Sequence, residues 1–425
     1  MDEKIKILSR YNFWDSNIPD LGFVRKSYID ILSRLSGNNR LVKVLVGQRR
    51  VGKSYVLRQF ASWLIEQGVN ARNIFILNKE LEIFDFVSDS DDLRDLLDCY
   101  INQIKPEGKI YIFLDEVQNI KSWERFVNSF SQDYTREYEL FITGSNSKML
   151  SGELATMLSG RYVEVEVSPF SYEEFLGFHE KSVGRETYLQ YMHSSGLPET
   201  YKLNDDETRR YYVKSLKNTV MLRDIVGRYG VRDVALLEDL FVYIINNASN
   251  LMSISNIVKY MKGKGRKVSY DTVSTYIGYL EDAYLLYQVN RYNIKGKSVI
   301  GGVAKYYAND LAFRNYLYRG FGYGEGYLLE NVVYMELRRM GFDLYVGSVE
   351  GKEVDFIGII ADRKIYVQVS YSIAEEETAR REYSPLEDIK DSFEKYVITM
   401  DDFLMPIHEG IRHLRAWEIG SIDTK

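Results

Sequence analysis

At 425 residues the chain exceeds one ordinary domain, and two or three are expected. A formal net charge of −6 excludes a surface coated for indiscriminate nucleic-acid binding, though local basic patches stay open. The single cysteine, Cys99, excludes an intrachain disulfide and a cysteine-cluster metal site. No run approaches the ~18 apolar residues of a membrane span, and the first residues lack a signal-peptide core, so a cytoplasmic location without a membrane partner is expected.

From Leu41 to Val167 short β-rich runs (41–46, 74–77, 109–114, 139–143, 162–167) alternate with helical segments, the pattern of an α/β parallel sheet with helices on both faces. The first run feeds Gly47-Gln48-Arg49-Arg50-Val51-Gly52-Lys53-Ser54, and a helical pattern leaves it through Tyr55, Leu57, Phe60 and Leu64. This is G-x-x-x-x-G-K-[ST] between a strand and a helix, the setting a phosphate-binding loop requires. The glycines let backbone N–H groups turn toward a phosphate at the positive end of the following helix. Lys53 is placed to reach the β- and γ-phosphates, and the Ser54 hydroxyl to ligate Mg²⁺. The expected ATP contacts are Gly47, Gln48, Arg49, Arg50, Val51, Gly52, Lys53, Ser54 and Tyr55. The absence of a guanine-specificity motif of the Asn/Thr-Lys-x-Asp type leaves adenine as the default base.

The third run ends in Asp115-Glu116. A buried parallel strand delivers such acids to the C-terminal edge of its sheet. Asp115 is expected to hold Mg²⁺ and Glu116 to polarise the attacking water as general base. The fourth run closes on Thr143-Gly144-Ser145-Asn146, where Ser145 or Asn146 is a candidate sensor of the γ-phosphate and a plain helix cap is the competing reading. Arg161, just before the fifth run, is a candidate to stabilise transferred charge in cis or across a subunit boundary, or a structural arginine.

Pro169 breaks the alternation before a short helix near Tyr172–Leu176, and residues 205–283 are mostly helical. Residues 236–308 read as a winged helix: one helix over Leu236–Asn247, a second from Ser253 or Ser255, a third from Ser269, then a β-ribbon through Leu285–Val289 and Tyr306–Tyr307. Lys262, Lys264, Arg266 and Lys267 precede the third helix, and Arg291, Lys295 and Lys297 lie in the wing. Such groups suit the phosphates of double-stranded DNA. The positions expected to be exposed on the third helix, including Asp271, Glu281 and Asp282, carry no Arg or Lys. Non-specific backbone binding or a structural module is therefore favoured over base reading.

Asp115-Glu116-Val117-Gln118, Thr143-Gly144-Ser145, Gly160-Arg161 followed by Ser168-Pro169-Phe170-Ser171, and Gly196-Leu197-Pro198-Glu199 together resemble the prokaryotic AAA-type "archaeal ATPase" family, as do Tyr11-Asn12-Phe13-Trp14 and Arg25. The resemblance implies a P-loop ATPase core (1–204), a helical and winged-helix module (205–310) and a C-terminal restriction-endonuclease-like α/β domain (311–425). It also implies a homo-oligomer. In the last domain, Glu330, Asp355 and Gln368-Val369-Ser370 stand where the nuclease-like pattern has Glu, Asp and Glu-x-Lys. Gln368 is a neutral ligand and Ser370 supplies no ammonium, so a degenerate nuclease is expected. The expected function is ATP hydrolysis coupled to DNA binding. The alternatives are a nucleotide-gated switch acting on an unidentified protein and an ATP-regulated nuclease.

Overall fold

The structure, a computed structural model, describes residues 2–15, 17–37, 39–145, 158, 160–318 and 324–422. It divides into two compact units, Met1–Val167 and Ser168–Lys425.

In the first unit five parallel strands, β1 (Val42–Val46), β2 (Ile74–Asn78), β3 (Ile110–Asp115), β4 (Tyr138–Thr143) and β5 (Tyr162–Glu166), form one sheet in the order β2-β3-β4-β1-β5. All five strands coincide within a residue with the expected runs. β1 is buried throughout, as an inner strand covered on both faces must be. Its interior Lys43 is tolerated because the Glu139 carboxylate on neighbouring β4 lies 2.6 Å from its ammonium. Placing β4 between β1 and β3 brings the ends of three strands together: the loop after β1, the acids after β3 and Ser145 after β4.

Helices α1 (Glu3–Ser9), α2 (Lys26–Leu35), α3 (Lys53–Glu66), α4 (Ser90–Ile104) and α5 (Trp123–Ser131) complete the unit. α4 begins where Asp89 accepts from the N–H groups of Asp91 and Asp92, satisfying two of its free donors. β2 is an edge strand, and the N-terminal segment closes its open side. Asn12 donates to Ile76 O (2.9 Å) and accepts from Ile76 N (2.7 Å), while Trp14 Nε1 donates to Ile74 O (2.6 Å).

The second unit opens with helices Tyr172–His179, Arg185–Met192 and Asp206–Thr219. A helical group follows over Val234–Asn246, Ile254–Gly263 and Tyr270–Asp282. Ser253 and Ser269 cap the last two of these, accepting from Asn256 N and Thr272 N. A seven-stranded mixed sheet comes next, in the order β12-β11-β10-β9-β8-β6-β7. Its strands are β6 (Leu286–Asn293), β7 (Ser298–Ala308), β8 (Asp343–Val349), β9 (Lys352–Ile360), β10 (Arg363–Ser370), β11 (Glu394–Thr399) and β12 (Ile411–Arg415). Helices Glu325–Arg339 and Glu376–Glu387 supply residues to two separate hydrophobic clusters of this sheet.

The expected ribbon is the hairpin β6–β7. It does not stand apart as a wing: β6 pairs in parallel with β8 through Arg291↔Val346, Tyr292↔Gly347 and Asn293↔Ser348. The expected boundary at residue 310 thus cuts through one continuous sheet. Asp282, expected on the exposed face of the third helix, is buried and accepts from the Tyr229 hydroxyl (3.0 Å).

Candidate functional site

The loop after β1 has the backbone its glycines allow. Gly47 has φ 134° and Gly52 φ 101°, both in the region that favours glycine. A Cβ on Gly47 would stand 2.3 Å from Val167 O, so no other residue fits there without moving the backbone just after β5. Gly52 caps α3. Lys53 is the first helical residue, and its Nζ donates to Gly47 O (2.9 Å) and Gln48 O (3.0 Å), which folds the ammonium back over the loop. Gln48, Arg49 and Val51 are buried, whereas Arg50 and Tyr55 are exposed. Arg49 pairs with Glu80 at 2.7 Å. Arg25 donates to Val51 O (3.0 Å) and lies over the Tyr28 ring, bracing the loop from outside.

The acids arrive on the same edge. Asp115 is almost fully buried; burial pushes its carboxyl up, opposed by hydrogen bonds from the Thr143 and Ser54 hydroxyls and by the charge of Lys53. Ser54 and Asp115 are therefore in direct contact, two hard oxygen donors of the kind that suit Mg²⁺. Thr143 is the junction: its Oγ1 donates to Asp115 Oδ1 (2.5 Å) and accepts from Glu116 N (2.9 Å). Glu116 takes φ 54°, a strained conformation outside glycine, which turns the chain sharply after the strand. Gln118 Nε2 donates to Glu116 Oε2 and lies 3.5 Å from Ser145 Oγ.

Lys53, Ser54, Asp115, Glu116 and Ser145 thus share one sheet edge. Asn146 lies outside the described residues. Arg161 is not brought to that edge. It is exposed and precedes Tyr162, which pairs with Val42 at the opposite end of β1, and its carbonyl accepts from Val42 N. Five strand residues at about 3.3 Å each separate it from the loop by ~16 Å, farther than an arginine side chain extends. The cis reading of Arg161 is corrected accordingly. The contributions of Thr143 and Gln118 were missed, because nothing local in the sequence marks a side chain that bridges two strand ends.

In the second unit, Glu330 and Asp355 do meet, but around a lysine. Lys305 Nζ, almost fully buried on β7, lies 2.8 Å from Glu330, 2.7 Å from Glu353 and 3.2 Å from Asp355. Burial alone would push its ammonium down; the charges of Asp355, Glu330 and Glu353 outweigh this and raise it. Burial pushes Glu330 up to about 8 against the pull of Lys305. Gln368 Nε2 donates to Glu382 Oε2 (2.8 Å), and Val369 N donates to Asp355 Oδ2 (2.9 Å). Lys305 thus brings an ammonium to Asp355, and Glu382 a carboxylate to Gln368, each from another element. A lone lysine inside the apolar run Val303–Tyr307 was the available signal for Lys305. Among the described residues no group of three or more His, Cys, Asp or Glu is arranged to hold a metal ion, and no helix is long and apolar enough to cross a membrane.

Residues 39–176 match the AAA domain family, and residues 185–322 match a domain of unknown function (DUF8612). The second match crosses the expected boundaries at residues 204 and 310. Among solved structures, the Walker-type ATPase PABY2304 of Pyrococcus abyssi is 16% identical, covering 68% of this chain and 94% of its own, with a TM-score of 0.45. An uncharacterized protein of Methanocaldococcus jannaschii is 29% identical over 380 residues, 85% of this chain and 82% of its own. An uncharacterized protein of Haemophilus influenzae is 34% identical over 383 residues, 88% of this chain and 92% of its own. On that similarity along nearly the whole length, the chain belongs to the family of this uncharacterized Haemophilus influenzae protein, and its residues 39–176 carry the match to the AAA domain family.

Proposed function

We propose that the chain binds ATP at Gly47–Ser54 and hydrolyses it. The observation that carries this reading is the hydrogen-bonded set Ser54–Asp115–Thr143–Glu116 beside Lys53 on one edge of a parallel sheet. Lys53 exchanges its two loop carbonyls for phosphate oxygens. Ser54 and Asp115 hold Mg²⁺, which neutralises charge on the phosphates. Glu116 takes a proton from the attacking water. Arg161, exposed and distant from its own loop, acts only if a neighbouring copy of the chain presents it.

Steady-state ATP turnover of the intact chain and of Glu116→Gln, with and without duplex DNA at low salt, tests the reading. The expected result is turnover that the variant loses by at least about 100-fold while it still binds ATP. Equal turnover in both would remove Glu116 as the base. Sedimentation of the variant with ATP decides Arg161, since a monomer leaves it no role.

Coupling to duplex DNA through the basic residues near the third helix and the hairpin is the first reading of what turnover serves, and it predicts stimulation that falls steeply with salt. The second, a nucleotide-gated protein-interaction switch, is favoured by specific ion pairs. Arg266 is held by Asp239 at 2.6 Å and Lys295 by Glu350, so part of the basic set is already engaged. Turnover indifferent to DNA would select the switch.

A further inference from the structure

The 3-10 turn Val117–Asn119 follows directly on Glu116, and its Gln118 side chain folds back toward the strand ends. Its two amide atoms differ in what they meet. Nε2 donates to Glu116 Oε2 and lies 3.5 Å from Ser145 Oγ. Oε1 is buried and has no hydrogen-bond partner among the described residues. A buried acceptor without a donor costs about 1–3 kcal/mol, so its position beside Glu116 points to a donor that arrives with the reaction.

Water attacking phosphorus must turn a lone pair toward it, and both of its hydrogens then need acceptors elsewhere. Glu116 supplies one. We propose that Gln118 is a water-orienting residue of the hydrolytic site: Oε1 accepts the second hydrogen while Nε2 keeps the Glu116 carboxylate turned to the first. The proposal rests on the reading of this edge as an ATP hydrolase with Glu116 as base. In the step, the water oxygen bonds to the γ-phosphorus as the bond to the β–γ bridging oxygen breaks. That electron pair leaves with ADP, the proton passes to Glu116, and Gln118 neither gains nor loses one. A carboxamide suits the role because one planar group carries donor and acceptor together.

The test is single-turnover and steady-state hydrolysis by the full chain carrying Gln118→Ala, Gln118→Glu, and Gln118→Ala combined with Glu116→Gln. ATP affinity and melting temperature are measured alongside. The expected result is a kcat lowered on the order of 100-fold in Gln118→Ala, with affinity and melting temperature unchanged. The double variant should be no slower than Glu116→Gln alone, because both residues act on one water. Gln118→Glu keeps the volume and the acceptor but loses the donor to Glu116. It should also lose turnover, and it serves if the alanine chain does not fold. Wild-type kcat in the variants, a loss that tracks weaker ATP binding or melting, or losses that multiply in the double variant would each overturn the assignment. Full activity in Glu116→Gln would instead remove Glu116 as the base on which the assignment rests, and no turnover by the wild-type chain would sink the hydrolase reading itself, so these failures are distinguishable from a failure of Gln118.

Discussion

Single side chains do disproportionate work where strand ends meet. Thr143 contacts both acids through one oxygen, and Gly47 has no room for a methyl group. Neither role is visible in a motif beyond the glycine itself. Glu330 gives a residue-scale prediction with a definite sign. Its folded value, about 8, lies above its ordinary 4.5 because burial disfavours the charge. The folded state therefore keeps a proton that the unfolded chain releases, and this stabilisation is full below about 4.5 and lost as pH rises through 8. Lys305 stays charged in both states across that window and adds no slope. Melting temperatures of the intact chain and Glu330→Gln, taken between about pH 5 and pH 8, should show a fall in the former that is reduced in the variant. Parallel curves would show that Glu330 does not hold the proton.

Elements were the most legible scale in the sequence, because apolar periodicity and capping residues act over a few positions. Ser253 and Ser269 start their helices as local rules require. The N-terminal Tyr11–Trp14 segment is the exception. It was recognisable only as a resemblance, yet Asn12 closes the edge of β2 by pairing with both backbone groups of Ile76. Asn12→Ala should destabilise the first unit by about 2–4 kcal/mol, since buried backbone groups lose their partner. Denaturant unfolding measures the loss, and hydrogen exchange at the Ile76 amide should quicken with it. An unchanged exchange rate there would mean that the strand edge is covered by something else.

At the scale of the molecule, the second unit is less divisible than its sequence reads. The hairpin β6–β7 belongs to the sheet of β8–β12, and Lys305 from β7 sits among Glu330, Glu353 and Asp355. A fragment beginning at residue 311 would lose two strands and leave the Glu353 and Asp355 carboxylates and the Glu330 carboxyl without their cation, a defect of about 3–5 kcal/mol for the broken ion cluster alone. Such a fragment should fail to give a cooperative thermal transition by circular dichroism. A cooperative transition would restore the boundary at residue 310.

The sequence by itself determined the five strands of the first unit, the phosphate-loop geometry and the pair of acids that follows β3, because glycine conformation and the burial of an apolar run are properties of contiguous residues. It could not determine which end of the sheet receives Arg161, that Gln118 turns back onto Glu116, that Asn12 seals a strand edge, or that Lys305 fills the acidic cluster. Those facts depend on strand order and register, which join residues far apart in the chain, and only the tertiary structure decides them.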